Sequence, residues 1–345
     1  MVRAPAVISG CRMMIRARMR DKMTFLGYGK EEYVMHGGMG TSMAHRVSGL
    51  HARRALRAVM AESEMLEGLL SRFRPDSDIG RLNCAAGAAW VKLSSETFNL
   101  LSDAARFFEM SRGSFDVTIG PLADLWDCMK ITEAPSEERV RQGLPLVGCS
   151  DLLLDAPSQS ARLKRPGQGV DLGGIGKGYA ADRFIWLFRQ FGCRSACTNI
   201  GGNVALLGAK PDGAPWNVGI RHPREKGRLL GAVRAQDCAV VTSGDYEKCF
   251  VSADGRLCHH ILDPATGYPA DSGLISVTAV AHSATAADAL STSVFVAGME
   301  RGMRLLEQCE GTEAVLVDKE LRVFVTRGLA NRFTAARDVQ FEVLH

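Results

Sequence analysis

No Cys-x-x-Cys pair occurs in this sequence: its ten cysteines are scattered, and the nearest two are Cys193 and Cys197. That spacing excludes the common structural zinc sites, and mostly buried free thiols are the expectation. No stretch approaches the roughly 20 apolar residues needed to cross a bilayer. No repeat of solenoid period is present, which removes the stacked-repeat architectures. A surplus of one charge is also missing from the body of the chain. The net charge is +4, but residues 1–22 carry six Arg/Lys against the single Asp21, leaving the remainder near −1. Such a body is not a nucleic-acid-binding surface.

The basic start, residues 1–32, is set apart as a leader, either disordered or lying ahead of the true start; Met13, Met14, Met19 and Met23 are alternative starts. Val7-Ile-Ser-Gly-Cys11 reads like a lipoprotein cleavage box, with Cys11 as a lipid-anchor candidate. The apolar run before it is short, and Arg3 is the sole charge of its n-region, so no intact signal peptide is expected. Residues 33–345 are expected to form the functional domain.

Composition is otherwise that of a globular protein, 46% hydrophobic and 23% charged. Tyr33 to Val47 reads as extended chain broken at His36-Gly-Gly-Met-Gly40. A helix is expected from Leu50 to Ser71, with Leu56, Val59, Ser63, Leu66 and Leu70 on one face. Ser94 is the expected N-cap of a second helix with a Phe98/Leu101/Ala105/Phe108 stripe. Residues 130–168 read as a connection with short elements. Later come strand candidates at 196–200, 204–207, 216–220, 239–242, 257–262, 274–281, 314–317 and 323–326. A third helix covers 285–297 and continues beyond Gly298. Helices flanking mixed β-sheets without strict alternation give an α+β fold.

Asp171-Leu-Gly-Gly-Ile-Gly-Lys-Gly-Tyr179 puts four glycines and a lysine ahead of an amphipathic run ending at Phe191. Backbone lacking Cβ approaches ligands closely, and a helix start offers free N–H groups to phosphate; the alternative is a plain tight turn. Walker and dinucleotide fingerprints both fail on spacing, because Gly178 follows Lys177 and Gly174-Ile-Gly-Lys-Gly178 is one spacer short. Asp288 and Thr292 lie four apart on a helix that is apolar nearly all round. A buried carboxylate without a partner is costly, so a cation or metal partner is favoured over a solvated pair; with a backbone carbonyl the oxygens suit Mg²⁺. His260, before Asp263-Pro-Ala-Thr-Gly267, is either a general base or a structural strand-end histidine. Asp116 reads as a buried acid between Phe115 and Val117. Phe73 is available either to stack on an aromatic ligand or to enter the core.

These segments together resemble the FAD:protein FMN transferases, the ApbE family. The resemblance rests on Met39-Gly-Thr41, Ser71 to Asn83, Gly113 to Leu122, Asp171 to Asp182, Asn199 to Gly202, Thr242 to Tyr246, His260 to Gly267 and Ala287 to Thr292, all in the family's order. It implies a two-lobed single domain and a Mg²⁺-dependent transferase. Such an enzyme cleaves FAD, attaches FMN to a Thr or Ser of an acceptor protein and releases AMP. The implied acceptor is an electron-transfer complex subunit or an exported flavoprotein, and the implied location is periplasmic or at the inner membrane. Carried over by position, Met39, Phe73, Ser114, Phe115, Asp116, Asp171, Lys177, His260 and Ile261 would line the FAD site. Asp288, Thr292 and a carbonyl of Gly174 or Gly176 would bind Mg²⁺, with Asp288 and His260 in catalytic roles; a nearby acid is the alternative base. The chain departs from the family at Asn203, where many relatives carry Asp, and at Asp127-Cys128, which replaces a glycine. Two other outcomes stay open: an FAD pyrophosphatase yielding FMN and AMP, and a flavin-binding carrier without catalysis.

Overall fold

The computed structural model describes residues 26–28 and 31–344; Cys11 and the alternative starts lie outside them. A ten-stranded sheet forms the centre. Its strand order is Leu26–Tyr28, Glu31–Gly38, Thr41–Ser48, Ser195–Ile200, Asn203–Leu207, Ala239–Gly244, Leu274–Ala281, Glu313–Asp318, Val323–Thr326 and Phe341–Leu344. Every pairing is antiparallel except the last, where Val323–Thr326 and Phe341–Leu344 run parallel.

Both faces of this sheet are covered, and strand periodicity divides the side chains between them. In Ala239–Gly244, Ala239 and Val241 enter one core while Val240 enters the other. Leu274–Ala281 is buried along its whole length, as expected of a central strand covered on both faces, and the polar side chains it carries, Ser276 and Thr278, are buried with it. On the first face lie the helices α1 (Ala52–Leu70), α2 (Asp78–Cys84), α3 (Ser95–Met110), α6 (Gly176–Gln190) and α7 (Ala284–Glu307), while the short α4 (Gly120–Leu125) and α5 (Glu137–Gly143) pack apart from them. The second face packs on a three-stranded sheet of Phe333–Ala335, Leu229–Ala235 and Trp216–Arg221. A small lobe from Leu122, Trp126, Val140, Cys258 and Leu262 has its own core.

α6 and α7 lie side by side under the sheet, and Phe184, Phe188 and Phe295 are wholly buried there. Each such side chain contributes about 1.5–3 kcal/mol through burial. Ser94 caps α3 as expected, accepting from the Thr97 N–H. The inward face of α3 is centred on Leu101, Ala104 and Phe107, so the expected stripe through Ala105 and Phe108 is off by one position. α7 kinks at Gly298, whose φ of 79° suits glycine.

The structure differs from the sequence reading in four places. The strand expected over 257–262 stops at His259, where the chain turns toward Asp263. The turn after Phe73 contains α2, whose N-cap Ser77 accepts from the Gly80 N–H. Three strands were not expected: Leu229–Ala235, which pairs with the preceding Trp216–Arg221; Phe333–Ala335, which pairs with Leu229–Ala235 from about a hundred residues away; and Phe341–Leu344, which runs parallel to Val323–Thr326. The nine described cysteines are free, but only Cys149, Cys193, Cys238 and Cys258 are buried.

Candidate active site

The glycine bend precedes α6 and is closed by its own backbone. The Asp171 N–H donates to the Val117 carbonyl at 2.7 Å, which lays residues 114–118 beside the bend. Asp171 Oδ1 accepts from the Gly173 N–H at 2.6 Å, and the Leu172 carbonyl accepts from Gly176 at 2.7 Å. The Gly178 N–H donates to Asp288 Oδ2 at 2.9 Å. Three N–H groups expected to be open to phosphate are therefore committed inside the protein. Gly178 is drawn by a buried carboxylate, which takes the nearest strong donor, whereas Gly173 and Gly176 close turns within the bend itself.

Glycine at 178 is required by close approach. A Cβ there would stand 2.2 Å from the Ala284 carbonyl oxygen and 2.8 Å from Asp288 Cβ. Without a side chain, the first turn of α6 lies directly on α7, and the helix start meets the acid. Asp182, one turn further along α6, receives the Ser283 hydroxyl at 2.7 Å and the N–H groups of Ala284 and Thr285 at 2.7 and 2.9 Å. It thereby anchors the N-terminus of α7, where an acid also complements the helix dipole.

Asp288 is 3% exposed. Its second oxygen, Oδ1, lies 3.6 Å from Lys177 Nζ, which also donates to the Gly173 carbonyl at 2.8 Å. Thr292 Oγ1 lies 3.2 Å from Ser243 Oγ. A Cβ built on Gly174 would be 3.4 Å from Thr292 Oγ1 and 3.1 Å from the Phe115 ring, so bend, hydroxyl and ring meet. One carboxylate, one hydroxyl and the carbonyls of the bend make a hard oxygen set, which fits a cation that keeps several waters. Among the described residues no group of three or more His, Cys, Asp or Glu converges, which leaves soft, nitrogen- or sulfur-rich sites out.

The remaining sequence-predicted residues divide. Met39 sits at φ 49° beside Gly40 at φ 70°, a two-residue hairpin turn between Gly38 and Thr41. Its N–H donates to Glu67 Oε2 at 3.0 Å, and its methyl would be 3.9 Å from a Cβ on Gly176. Phe73 is 74% exposed, with the Arg72 guanidinium 4.7 Å from its ring centroid, so it is not a core residue. Phe115 is buried edge-on to Phe107. Ser114 spends its hydroxyl on the Ser111 carbonyl at 3.0 Å. Asp116 is buried, and burial raises its pKa above the ordinary carboxylate value. Both its oxygens are taken within the protein, by the Thr118 N–H and hydroxyl and by the Cys149 N–H. In this structure Asp116 holds its own loop in shape.

The adjacent histidines differ. His259 is buried, with its ring between the Ala270 carbonyl at 3.2 Å and the Ile261 N–H at 3.3 Å. His260 keeps an exposed outer surface. Protein packed around the base of its ring desolvates it, and Lys248, His259 and Lys177 add positive potential, so its pKa is lowered. Ile261 is buried in the main core.

Sequence reasoning passed over Ser243, which bridges Thr292 and Ser291 at 3.2 and 2.8 Å. Only the polar strand end Thr242 to Tyr246 pointed to it. It also passed over Arg72, whose guanidinium lies 2.8 Å from Asp171 and 3.0 Å from Asp124. Asn203 is buried beside the Gly201-Gly202 turn, and its Nδ2 has no hydrogen-bond partner among the described residues.

Contacts thus gather several of the signature segments around the glycine bend, and the ApbE family matches residues 39–316, most of the chain. The chain belongs to the ApbE family. The FAD:protein FMN transferase of Treponema pallidum is 32% identical over 92% of this chain and 90% of its own length. The protein of that name from Klebsiella pneumoniae is 35% identical over 78% of this chain and 83% of its own. The crystal structure of the ApbE protein of Thermotoga maritima superposes with a TM-score of 0.80 at 30% identity, covering 90% of this chain and 99% of that one. The α+β architecture is that of these ApbE structures.

Proposed function

We propose that this chain is an FAD:protein FMN transferase. It breaks the FAD pyrophosphate, forms a new P–O bond between FMN and a Thr or Ser hydroxyl of an acceptor protein, and releases AMP. The observation that carries the reading is the convergence of buried Asp288, Thr292, Gly174 and Lys177 at one helix start, in a chain whose relatives bear that name.

Asp288, Thr292 and a carbonyl of the bend would hold Mg²⁺, which when bound neutralises charge on the pyrophosphate oxygens. Reactions of this kind rest mainly on positioning and electrostatics, and the protein's own residues supply both. Lys177 presents an ammonium where the phosphates would lie. Phe73 offers an open aromatic face, and stacking on such a face contributes about 0.5–1.5 kcal/mol beyond area burial. His260 has a lowered pKa and stays neutral at pH 7, so its ring can accept the proton of the acceptor hydroxyl. Its exposed edge leaves room for a protein substrate rather than a small one alone.

The test incubates the protein with FAD, Mg²⁺ and a Thr-bearing acceptor domain. The expected products are AMP and flavin fluorescence that stays with the acceptor after denaturation. AMP without acceptor-bound flavin would identify an FAD pyrophosphatase, and absence of AMP would identify a carrier. Asp288→Ala should lower turnover by at least about a hundredfold, within the range seen when a charge-stabilising group is lost; near-normal turnover would remove the metal site.

A further inference from the structure

We propose that Lys177 is a built-in competitor for the cation site: without metal its ammonium neutralises Asp288, and metal entry displaces it toward the substrate phosphates. The inference rests on the metal reading above and goes beyond it, because it assigns the lysine two successive partners.

Three observations carry it. Asp288 is almost fully buried, and a buried carboxylate must be paired. Its Oδ2 is satisfied by the Gly178 N–H, but Oδ1 faces Lys177 Nζ at 3.6 Å. Finally, Lys177 is not locked in place. Its side chain is 28% exposed, and its other bond is to the Gly173 carbonyl, a neutral acceptor within the same bend that is proposed to help hold the cation. The ammonium thus straddles the acid and the backbone of that bend, and its flexible four-carbon stem lets it swing outward. Two cations cannot both sit against one buried carboxylate oxygen, so occupancy by one weakens the other. Once displaced, Lys177 is an unpaired cation at the mouth of the cleft, which favours a pyrophosphate. Metal and FAD are then coupled through the lysine as well as through direct contact, and such coupling is reciprocal.

The test uses flavin-free protein and Mn²⁺ as a paramagnetic probe, with free Mn²⁺ measured by electron paramagnetic resonance. Lys177→Gln removes the competitor, and its Mn²⁺ dissociation constant should tighten by about tenfold, inside the usual span of coupling between sites. Lys177→Arg keeps the charge and should stay within about twofold of wild type. The metal-free Lys177→Gln protein should also melt lower than wild type, with Mn²⁺ or the second change Asp288→Asn restoring it. An unchanged or weaker Mn²⁺ affinity in Lys177→Gln, with wild type binding normally, would overturn the proposal while leaving the metal site standing. Failure of wild type to bind Mn²⁺, or binding unaffected by Asp288→Asn, would instead overturn the metal reading, and the competitor role with it.

Discussion

At the scale of single residues, the core shows how burial chooses protonation states. His45 is wholly buried, its ring held between the His36 ring at 2.9 Å and the Thr198 hydroxyl at 2.7 Å. Burial, reinforced by the neighbouring His36, lowers its pKa to about 3. The folded protein therefore keeps His45 neutral, while the unfolded chain takes up a proton near the ordinary imidazole value. The stability this contributes is intact above about pH 6.5 and declines as pH falls toward 3. At pH 5 the loss is about 2 kcal/mol from this residue. Urea unfolding at pH 8 and pH 5 should accordingly show a smaller acid-induced loss in His45→Gln than in wild type, by about that amount. Parallel losses in the two proteins would assign the acid sensitivity elsewhere.

At the scale of elements, the decisive contact is between α6 and α7. Alanine at position 178 would improve helix propensity by about 1 kcal/mol. The added methyl would overlap the Ala284 carbonyl oxygen, which is rigid backbone, and overpacking of this kind costs about 1–3 kcal/mol or more. The clash outweighs the propensity gain. Gly178→Ala should therefore lower the melting temperature and also weaken Mn²⁺ binding, because pushing the helices apart moves the bend away from Asp288. A variant as stable as wild type with unaltered Mn²⁺ affinity would show that the helices are not held at contact. Gly174 makes a useful contrast. A Cβ there would meet the Phe115 ring at 3.1 Å and Thr292 Oγ1 at 3.4 Å, contacts that small side-chain adjustments relieve, so Gly174→Ala should be milder on both measures.

At the scale of the whole molecule, the candidate site draws on segments spanning Met39 to Thr292 beside a sheet covered on both faces. Ligands that bind only the folded state raise its stability by mass action. With ligand at about a hundred times its dissociation constant, the expected gain is about 2.7 kcal/mol. FAD with Mg²⁺ should raise the melting temperature by more than the sum of their separate effects, and EDTA should remove the surplus. Strict additivity would mean the two ligands do not share a site. No helix among the described residues is long and apolar enough to cross a membrane.

Local chemistry was readable in the sequence wherever neighbours in the chain decide the outcome. The apolar face of α1, the Ser94 cap, the break at Gly298 and the buried setting of Asp288 follow from periodicity, capping and hydrophobic surroundings. The Asp288/Thr292 pair was legible for the same reason, since one helical turn separates the two residues. Tertiary structure alone decided which donors Asp288 receives, because the Gly178 N–H and the Lys177 ammonium reach it from another helix. It also turned Asp116 from a candidate ligand contact into the brace of its own loop, exposed Phe73, and paired Arg72 with Asp171 and Asp124. The strand Phe333–Ala335 gains its hydrogen bonds from Leu229–Ala235, about a hundred residues away, and no local pattern carries that information. Spacing along the chain sets which groups can share a face, but only packing determines which of them remain free to meet a substrate.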